Sequence, residues 1–258
     1  MSDAGARAAI VTGAGMGIGG IGRTIAARLA ESGMRILLAD LDPRVAESAA
    51  QIASSLGPAD PGNVSHWVGD LSSETMVAQL VDTAIERYGR IDVLVNNAGS
   101  GIIRPFLEHD AASLKATLER NLWTVLWCCH KVLPHMVRQN HGRIINIGAD
   151  SLRTGIPQHA GYNAAKGGVV GLTVGLAKEF AQHDITVNTV SPCVVNTERF
   201  QENLRANPEL MREFVRVVPK GRGAELSEVA DLVWFLSRRE AGFITGQDLS
   251  VNGGSAMP

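Results

Sequence analysis

The sequence has few cysteines, few aromatic residues and no long apolar run. Its 258 residues include three cysteines, Cys128, Cys129 and Cys193. Adjacent cysteines rarely pair, so we exclude a disulfide scaffold and expect a reducing compartment, the cytoplasm. No stretch reaches the roughly 20 apolar residues that span a bilayer, and the first residues lack the apolar core of a secretion signal. We therefore expect neither membrane insertion nor export.

The charge balance also excludes several classes of partner. Lysine and arginine total 24 and aspartate and glutamate total 26, which gives a net charge of −2. This balance provides no general attraction to nucleic acid or to an anionic membrane. No group of histidine, cysteine and acidic residues has metal-ligand spacing, so we expect no metal site. We expect a small-molecule partner.

Seven short apolar runs alternate with segments of helical spacing. The predicted strands are Ala8 to Thr12, Arg35 to Asp40, Val64 to Gly69, Ile91 to Asn96, Arg143 to Gly148, Ile185 to Val190 and Gln247 to Val251. The predicted helices are Arg23 to Ser32, Pro43 to Leu56, Ser73 to Tyr88, Ala111 to Gln139, Gly161 to His183 and Ser227 to Arg238. Runs that are apolar throughout indicate parallel strands buried on both faces. We predict an α/β chain that forms one doubly wound, Rossmann-type domain over residues 1–258, with a seven-stranded parallel sheet.

A segment of mixed charge, about residues 192–222, follows the sixth predicted strand without a clear strand of its own. Ligands of doubly wound folds bind at the carboxyl ends of the strands. Long irregular excursions there are commonly binding loops. We predict that this segment is a substrate lid.

A glycine-rich loop links the first predicted strand to the first helix. Glycine fills more than half of the positions between Gly13 and Gly22. Glycine lets backbone N–H groups approach a pyrophosphate, and the helix N-terminus adds a positive dipole end. The loop matches the dinucleotide fingerprint in two registers, and we prefer the later one because Arg23 to Ala26 opens the helix.

The second predicted strand ends in Asp40, at the spacing expected for the residue that binds the adenosine ribose. A carboxylate repels a 2′-phosphate, and Leu41 rather than arginine follows it, so NAD is favoured over NADP. Arg44 leaves NADP open as the alternative. Asp70, which follows the third strand, is a candidate for contact with the adenine.

Tyr162 and Lys166 lie one helical turn apart and form a candidate acid–base pair. A free tyrosine has a pKa of about 10, so it needs nearby positive charge to accept a proton near neutral pH. We predict that the Lys166 ammonium lowers that pKa and that an oxidised nicotinamide adds a second positive charge. The pair would then exchange a proton with an alcohol or a ketone while hydride moves to or from the cofactor.

Taken together, these motifs resemble the classical short-chain dehydrogenase/reductase family over nearly the whole chain. The motifs are Thr12-Gly13 with the glycine cluster, Asn96-Asn97-Ala98-Gly99, Asn121, Tyr162-Asn163-Ala164-Ala165-Lys166, Ser191-Pro192 with Thr197, and Val251-Asn252-Gly253-Gly254. The resemblance implies an NAD-dependent oxidoreductase in which Tyr162 is the acid–base, Lys166 its activator and Asn121 the holder of a relay water. The residues expected to contact the cofactor are Gly13, Gly15, Met16, Gly20, Ile21, Asp40, Leu41, Asp70, Leu71, Asn97, Ala98, Gly99, Tyr162, Lys166, Val195 and Thr197.

One position departs from the family. Ala149 stands where the family has a serine that donates to the reacting oxygen, and loss of such a donor typically costs about a hundred- to a thousand-fold in rate. Three explanations stay open. The chain is a deliberately disabled variant, Ser151 or a water replaces the donor, or the protein keeps NAD without efficient turnover, as a sensor does. Cys193, where a glycine is usual, is a packing thiol or a reactive one.

The substrate is expected to be a secondary alcohol or ketone, including cyclic and acyl-CoA compounds. The predicted pocket segments are 100–106, 150–160 and the lid. Arg104, Arg153, His159, Arg199 and Lys220 offer positive charge there, either for an anionic substrate or for neighbours such as Glu198, Glu202 and Glu213. Family members usually assemble through two long helices, and the apolar or small-residue faces at 123–129 and 167–172 predict a homotetramer, with a dimer as the alternative.

Overall fold

The computed structural model describes residues 6–15, 20–57, 63–209 and 215–257, and one parallel sheet runs through them. Its strands are β1 (Ala8–Thr12), β2 (Arg35–Asp40), β3 (Val64–Val68), β4 (Val93–Asn96), β5 (His141–Ile147), β6 (Asp184–Pro192) and β7 (Asp248–Val251). They lie in the order β3-β2-β1-β4-β5-β6-β7, and every pair is parallel. The chain winds outward from β1 in both directions, which confirms the doubly wound, Rossmann-type prediction.

The central strands are buried as predicted, but β3 is not. All five residues of β1 and all four of β4 are buried. In β3 only Val64 and Ser65 are buried, and His66 and Val68 are exposed. All four residues of β7 are only partly buried. The expectation of burial on both faces is wrong for β3 and β7 because they lie at the two edges of the sheet.

Helices cover both faces of the sheet and enclose two apolar cores. They are α1 (Ile21–Glu31), α2 (Val45–Ser55), α3 (Glu74–Tyr88), α4 (Ala111–Leu118), α5 (Thr124–Gln139), α6 (Ser151–Thr154), α7 (Ala160–Glu179), α8 (Glu198–Ala206) and α9 (Leu226–Leu236). Side chains alternate along a strand, so β1 contributes Val11 to the core under α1, α2 and α9 and Ile10 to the core under α3, α5 and α7. Within the described ranges, no helix combines the length and apolar character needed to cross a membrane.

The predicted helix from Ala111 to Gln139 is interrupted. α4 begins at a capping box between Asp110 and Ser113, and a π turn at Glu119–Trp123 then separates α4 from α5. A single π turn inserts extra backbone without changing the apolar character of the segment, so apolar spacing did not reveal it. Such turns are frequent at functional sites, and this one carries Asn121.

The predicted lid contains a helix that the sequence reasoning missed. α8 begins after Thr197, whose hydroxyl accepts a hydrogen bond from the Phe200 N–H at 3.0 Å. None of the α8 residues is buried. Its only large apolar residues are Phe200 and Leu204, which lie one turn apart and are partly buried. Two apolar residues among many charged ones are a weak helical signal, so the prediction of an irregular segment was wrong here.

Candidate active site

A cavity of about 930 Å³ lies at the carboxyl ends of the strands and contains most of the predicted site. Its lining includes Gly13, Ile21, Asp40, Leu41, Asp70, Leu71, Asn97, Ala98, Gly99, Ala149, Ser151, Tyr162, Lys166, Val195 and Thr197. All three predicted substrate segments also contribute residues, among them Ser100, His159 and Pro192. The fold therefore places the predicted cofactor-binding residues and the predicted acid–base residues around one cavity.

The start of the glycine loop, at Thr12 and Gly13, is hydrogen-bonded to the residues that follow β4. The Asn97 side-chain amide donates to the Thr12 and Gly13 carbonyls at 3.1 and 2.8 Å. The Thr12 hydroxyl accepts from the Asn97 and Ala98 N–H groups, both at 3.0 Å. Gly13 has a φ of 64°, which favours glycine. Met16 lies outside the described residues.

The later glycine register agrees with the structure. Gly20, with a φ of 73°, immediately precedes α1, and Ile21 lines the cavity. A Cβ at Gly22 would collide with the Gly13 carbonyl and with the Asn97 side chain. This lack of space is what the fingerprint requires of the glycine that permits close packing between the helix and the preceding strand.

Replacement of Gly22 by alanine is expected to destabilise the protein by about 1–3 kcal/mol, because the added methyl group overpacks this contact. Thermal unfolding measures the effect. Gly175→Ala in α7 is the matched control, since its Cβ would meet no atom within 4 Å. This control should gain stability slightly from helix propensity. Equal melting temperatures for Gly22→Ala and the unsubstituted protein would contradict the packing role.

Asp40 lies at the mouth of the glycine loop. Its carboxylate accepts hydrogen bonds from the Gly15 N–H at 2.7 Å and the Asp42 N–H at 2.9 Å. Arg44 is the residue that could pair with the 2′-phosphate of NADP. It donates instead to both carboxylate oxygens of Asp42. That interaction lowers the pKa of Asp42 and raises the pKa of Arg44. The residue best placed to neutralise a phosphate is thus engaged by a neighbouring acid.

Tyr162 and Lys166 lie together on the first turns of α7, where Lys166 is buried and Tyr162 is half-buried. The Lys166 Nζ is 5.8 Å from the centre of the Tyr162 ring and donates to the Ile147 carbonyl at 2.7 Å. Lys166 is 3% exposed, which excludes the ordinary surface pair that a tyrosine and a lysine at this spacing commonly form.

Burial controls the proton affinity of both groups. It raises the pKa of the Tyr162 phenol to about 12 and lowers the pKa of the Lys166 ammonium to about 8. In the protein alone the loss of hydration outweighs the effect of the Lys166 ammonium on the phenol. The joint action of Lys166 and an oxidised nicotinamide stays a prediction. A phenolate at this position needs a further positive charge close to it.

Asn121 occupies the π turn behind this pair. Its amide nitrogen donates to the Thr117 carbonyl at 2.8 Å and the Ser100 carbonyl at 3.0 Å. Its Oδ1 is buried and has no hydrogen-bond partner among the described residues. A buried orphan acceptor is costly unless a ligand or a water satisfies it, which suits the water-holding role that the family resemblance implies.

Ala149 and Ser151 follow β5 on the cavity wall. Ala149 has only a methyl group to present. The Ser151 hydroxyl donates to the Asn163 Oδ1 at 2.6 Å, and the Asn163 amide nitrogen donates back to the Ser151 carbonyl at 3.0 Å. Because that hydroxyl has one proton, this geometry does not present Ser151 as the substitute donor.

Asp150, the first residue of the predicted pocket segment 150–160, lines the cavity and is 1% exposed. Sequence reasoning assigned it no individual role. It accepts hydrogen bonds from the Ser255 hydroxyl at 2.5 Å and the Asn252 amide at 3.0 Å. Arg153 forms a salt bridge with Asp248 at 2.8 Å and lies 3.7 Å from Asp150. Asp150 therefore fixes the carboxyl-terminal wall of the cavity. The only sequence signal was an acid next to the unusual Ala149.

The structure also shows which of the candidate substrate-binding cations line the cavity and how burial affects the Cys193 thiol. Arg153 is paired with acids, and of the five proposed cations only His159 is among the cavity residues. The His159 ring lies edge-on to Tyr162, with centroids 6.1 Å apart. Burial raises the pKa of the Cys193 thiol, which favours packing over reactivity. Among the described residues, no group of three or more histidine, cysteine or acidic side chains could hold a metal ion.

Comparison with known proteins gives consistent matches over the whole length. A family model described as "Enoyl-(Acyl carrier protein) reductase" matches residues 17–256. The chain is 50% identical to 2,3-dihydroxy-2,3-dihydro-p-cumate dehydrogenase of Pseudomonas putida, over 96% of this chain and 94% of that relative. It is 36% identical to acetoacetyl-CoA reductase of Allochromatium vinosum, over 98% and 99%. The crystal structure of levodione reductase matches with a TM-score of 0.89 and 31% identity, over 98% of both chains.

Proposed function

Because the chain belongs to the classical short-chain dehydrogenase/reductase family, we propose that it is an NAD-dependent dehydrogenase that oxidises a secondary alcohol on a ring to a ketone. The observation that carries the proposal is the position of the buried Lys166 beside Tyr162, in a cavity that is also lined by Gly13 and Asp40. The cavity thus joins a dinucleotide site to an acid–base pair.

The residues of the cavity fit a nicotinamide dinucleotide, the cofactor that the family uses. The glycine loop and the N-terminus of α1 would hold the pyrophosphate, Asp40 the adenosine ribose, and Lys166 the ribose next to the nicotinamide. When bound, the oxidised ring accepts hydride and carries a positive charge. NAD rather than NADP is supported by the acid at Asp40 and by the pairing of Arg44 with Asp42.

The preference for NAD can be tested with Asp40→Asn, which keeps the shape of the side chain and removes its charge. We expect the ratio of NADP affinity to NAD affinity to rise at least about tenfold, because repulsion of the 2′-phosphate and charged hydrogen bonds to the ribose are both lost. Calorimetric titration with NAD and with NADP measures both affinities. Asp70→Asn is the control and should leave the ratio unchanged. Equal affinity of the unsubstituted protein for NAD and NADP would contradict the role of Asp40.

The chain's own residues then carry the proton. The pKa of Tyr162 is raised by burial, so the phenolate forms only when the Lys166 ammonium and the bound positive ring act on it together. The phenolate accepts the hydroxyl proton of the substrate as hydride leaves the carbon. Asn121, with its free Oδ1, would position a water that returns the proton to solvent. Neither an alkoxide nor a carbocation then has to form in full.

A ring that carries two adjacent hydroxyls is the substrate class that we propose. The relative at 50% identity is named for a dihydrodiol of a benzoate-type ring. The ring of such a dihydrodiol keeps two double bonds. Oxidation of one hydroxyl gives a hydroxyketone, which tautomerises to an aromatic catechol. The gain of aromaticity makes the overall reaction strongly favourable. The acyl-CoA alternative has support from a relative at 36% identity.

A second candidate function follows from Ala149, which lacks the usual donor. An NAD-binding sensor would retain the cofactor site and turn over poorly. The two candidates separate in one assay, in which the protein is mixed with NAD and a panel of ring diols, ring alcohols and acyl-CoA alcohols while reduced-cofactor absorbance is followed. The dehydrogenase predicts turnover with ring diols. Tight NAD binding without absorbance change for any alcohol would favour the sensor.

The location and assembly also stay proposals. The described cysteines are free thiols, which supports a reducing compartment such as the cytoplasm. Trp123 is 43% exposed and its ring lies 5.3 Å from that of Trp127. This aromatic surface beside α5 supports a homotetramer, for which the molecular mass in solution is the test.

A further inference from the structure

Three hydroxyl groups and one thiol of the cavity wall donate their protons to the protein itself. Ser151 donates to Asn163, and Ser255 donates to Asp150. The Thr154 hydroxyl donates to the Asp150 carbonyl at 3.3 Å. The Cys193 thiol donates to the Val194 carbonyl at 3.7 Å. Each of these four groups lines the cavity, and each is engaged away from a substrate oxygen.

We propose that the substrate supplies the donor that Ala149 lacks. In a vicinal diol whose hydroxyls lie on the same face of a ring, the hydroxyl that does not react lies next to the reacting oxygen and can donate a hydrogen bond to it. The inference rests on the proposed function, which it deepens by making the second hydroxyl a requirement for fast turnover. It also explains how a chain with alanine at this position can be an active dehydrogenase.

The step balances without any further reagent. The carbon–hydrogen bond of the reacting carbinol breaks with its electron pair, which passes to the oxidised nicotinamide. The proton of the reacting hydroxyl passes to the Tyr162 phenolate. The neighbouring hydroxyl keeps its proton throughout and donates only a hydrogen bond, which strengthens as negative charge develops on the reacting oxygen.

The size of the effect follows from the geometry of the donor. A well-aligned donor to a developing oxyanion contributes about a hundred- to a thousand-fold in rate. A hydroxyl on the adjacent carbon reaches the oxygen at a narrow angle, and hydrogen bonds weaken steeply below about 120°. We therefore expect the second hydroxyl to recover a part of the lost rate, about ten- to a hundred-fold.

The structure also accounts for why serine at 149 and the diol should be partly redundant. Ala149 is 8% exposed, so its methyl group borders the cavity without projecting far into it. Serine adds a single oxygen at that wall. Ala149→Ser therefore increases the rate only a little for a substrate that carries its own donor. For a substrate without one, it increases the rate by the full effect of the added donor.

The test compares two substrates in three proteins. The substrates are cis-1,2-cyclohexanediol and cis-2-methoxycyclohexanol, which has a similar shape but no second donor. The proteins are the unsubstituted chain, Ala149→Ser, and Ala149→Gly as a control that alters the space without adding a donor. Steady-state kcat is measured with saturating NAD. The methoxy compound has a single oxidisable carbon, the one that bears its free hydroxyl.

In the unsubstituted protein we expect the diol to turn over about ten- to a hundred-fold faster than the methoxy compound. Ala149→Ser should raise the methoxy rate about a hundred-fold and the diol rate less than tenfold, so that the ratio approaches one, and Ala149→Gly should leave the ratio unchanged.

Equal rates for the two substrates in the unsubstituted protein, or equal gains for both in Ala149→Ser, would overturn the inference, because a water or another group would then supply the donor. Either result leaves the proposed dehydrogenase intact. Absence of turnover with both substrates in all three proteins, and with the ring diols of the wider panel, would instead reject the proposed function.

Discussion

Replacement of Tyr162 by phenylalanine is expected to lower kcat by about a hundred- to ten-thousand-fold, because it removes the group that accepts the substrate proton. Phenylalanine keeps the aromatic ring, so the close approach of the Gly101 backbone, where a Cβ would lie only 2.8 Å from the Tyr162 Cδ2, is preserved. The change is therefore chemical rather than structural. Single-turnover formation of reduced cofactor measures the rate of this chemical step.

Two readouts separate lost chemistry from lost folding. The melting temperature and the NAD affinity of Tyr162→Phe should remain close to those of the unsubstituted protein. His159→Gln is a neighbouring comparison, since the His159 ring contacts Tyr162 edge-on but has no proposed part in proton transfer. A Tyr162→Phe protein that retains more than a tenth of kcat would refute the assignment of the acid–base.

Replacement of Lys166 by methionine is expected to abolish most activity and to stabilise the fold near neutral pH. The ammonium supplies positive charge to the phenolate and would hold the cofactor ribose, so we expect kcat to fall at least about a hundred-fold. The same ammonium is fully buried, and its pKa is lowered from 10.5 to about 8. Removal of this buried cation relieves a cost on the order of 3 kcal/mol at pH 7, partly offset by the loss of the bond to the Ile147 carbonyl.

The sign of the pH dependence follows from linkage. Between about pH 8 and pH 10.5 the unfolded chain binds more protons at Lys166 than the folded chain does, so the stability of the unsubstituted protein rises with pH in this window. Tyr162, with its pKa raised from 10.0 to about 12, acts in the opposite direction above pH 10. Melting curves from pH 7 to pH 10 should therefore converge for Lys166→Met and the unsubstituted protein. A constant difference over that range would contradict the buried, destabilised ammonium.

The sequence was sufficient for the sheet and for a set of residues that the fold brings together around one cavity. Buried parallel strands leave continuous apolar runs, and the glycine loop and the tyrosine–lysine spacing are local patterns whose meaning does not depend on distant contacts. Asp40, Tyr162 and Lys166 accordingly lie in one cavity.

The remaining features depend on contacts between distant segments. Whether Arg44 is free for a phosphate depends on how the loop at Asp42 folds back, and the pKa of Tyr162 depends on its burial. The role of Asp150 could not be inferred without knowing that Ser255, which is more than 100 residues away in the sequence, lies beside it. None of these relations leaves a periodic or compositional signal along the chain.

The most direct test of the account is a single-turnover experiment in which excess protein saturated with NAD is mixed with a ring cis-diol while reduced-cofactor absorbance is recorded. The account predicts a rapid rise in absorbance for the unsubstituted protein that is nearly absent for Tyr162→Phe at equal NAD occupancy. No rise with the unsubstituted protein, or the same rise in both proteins, would contradict it.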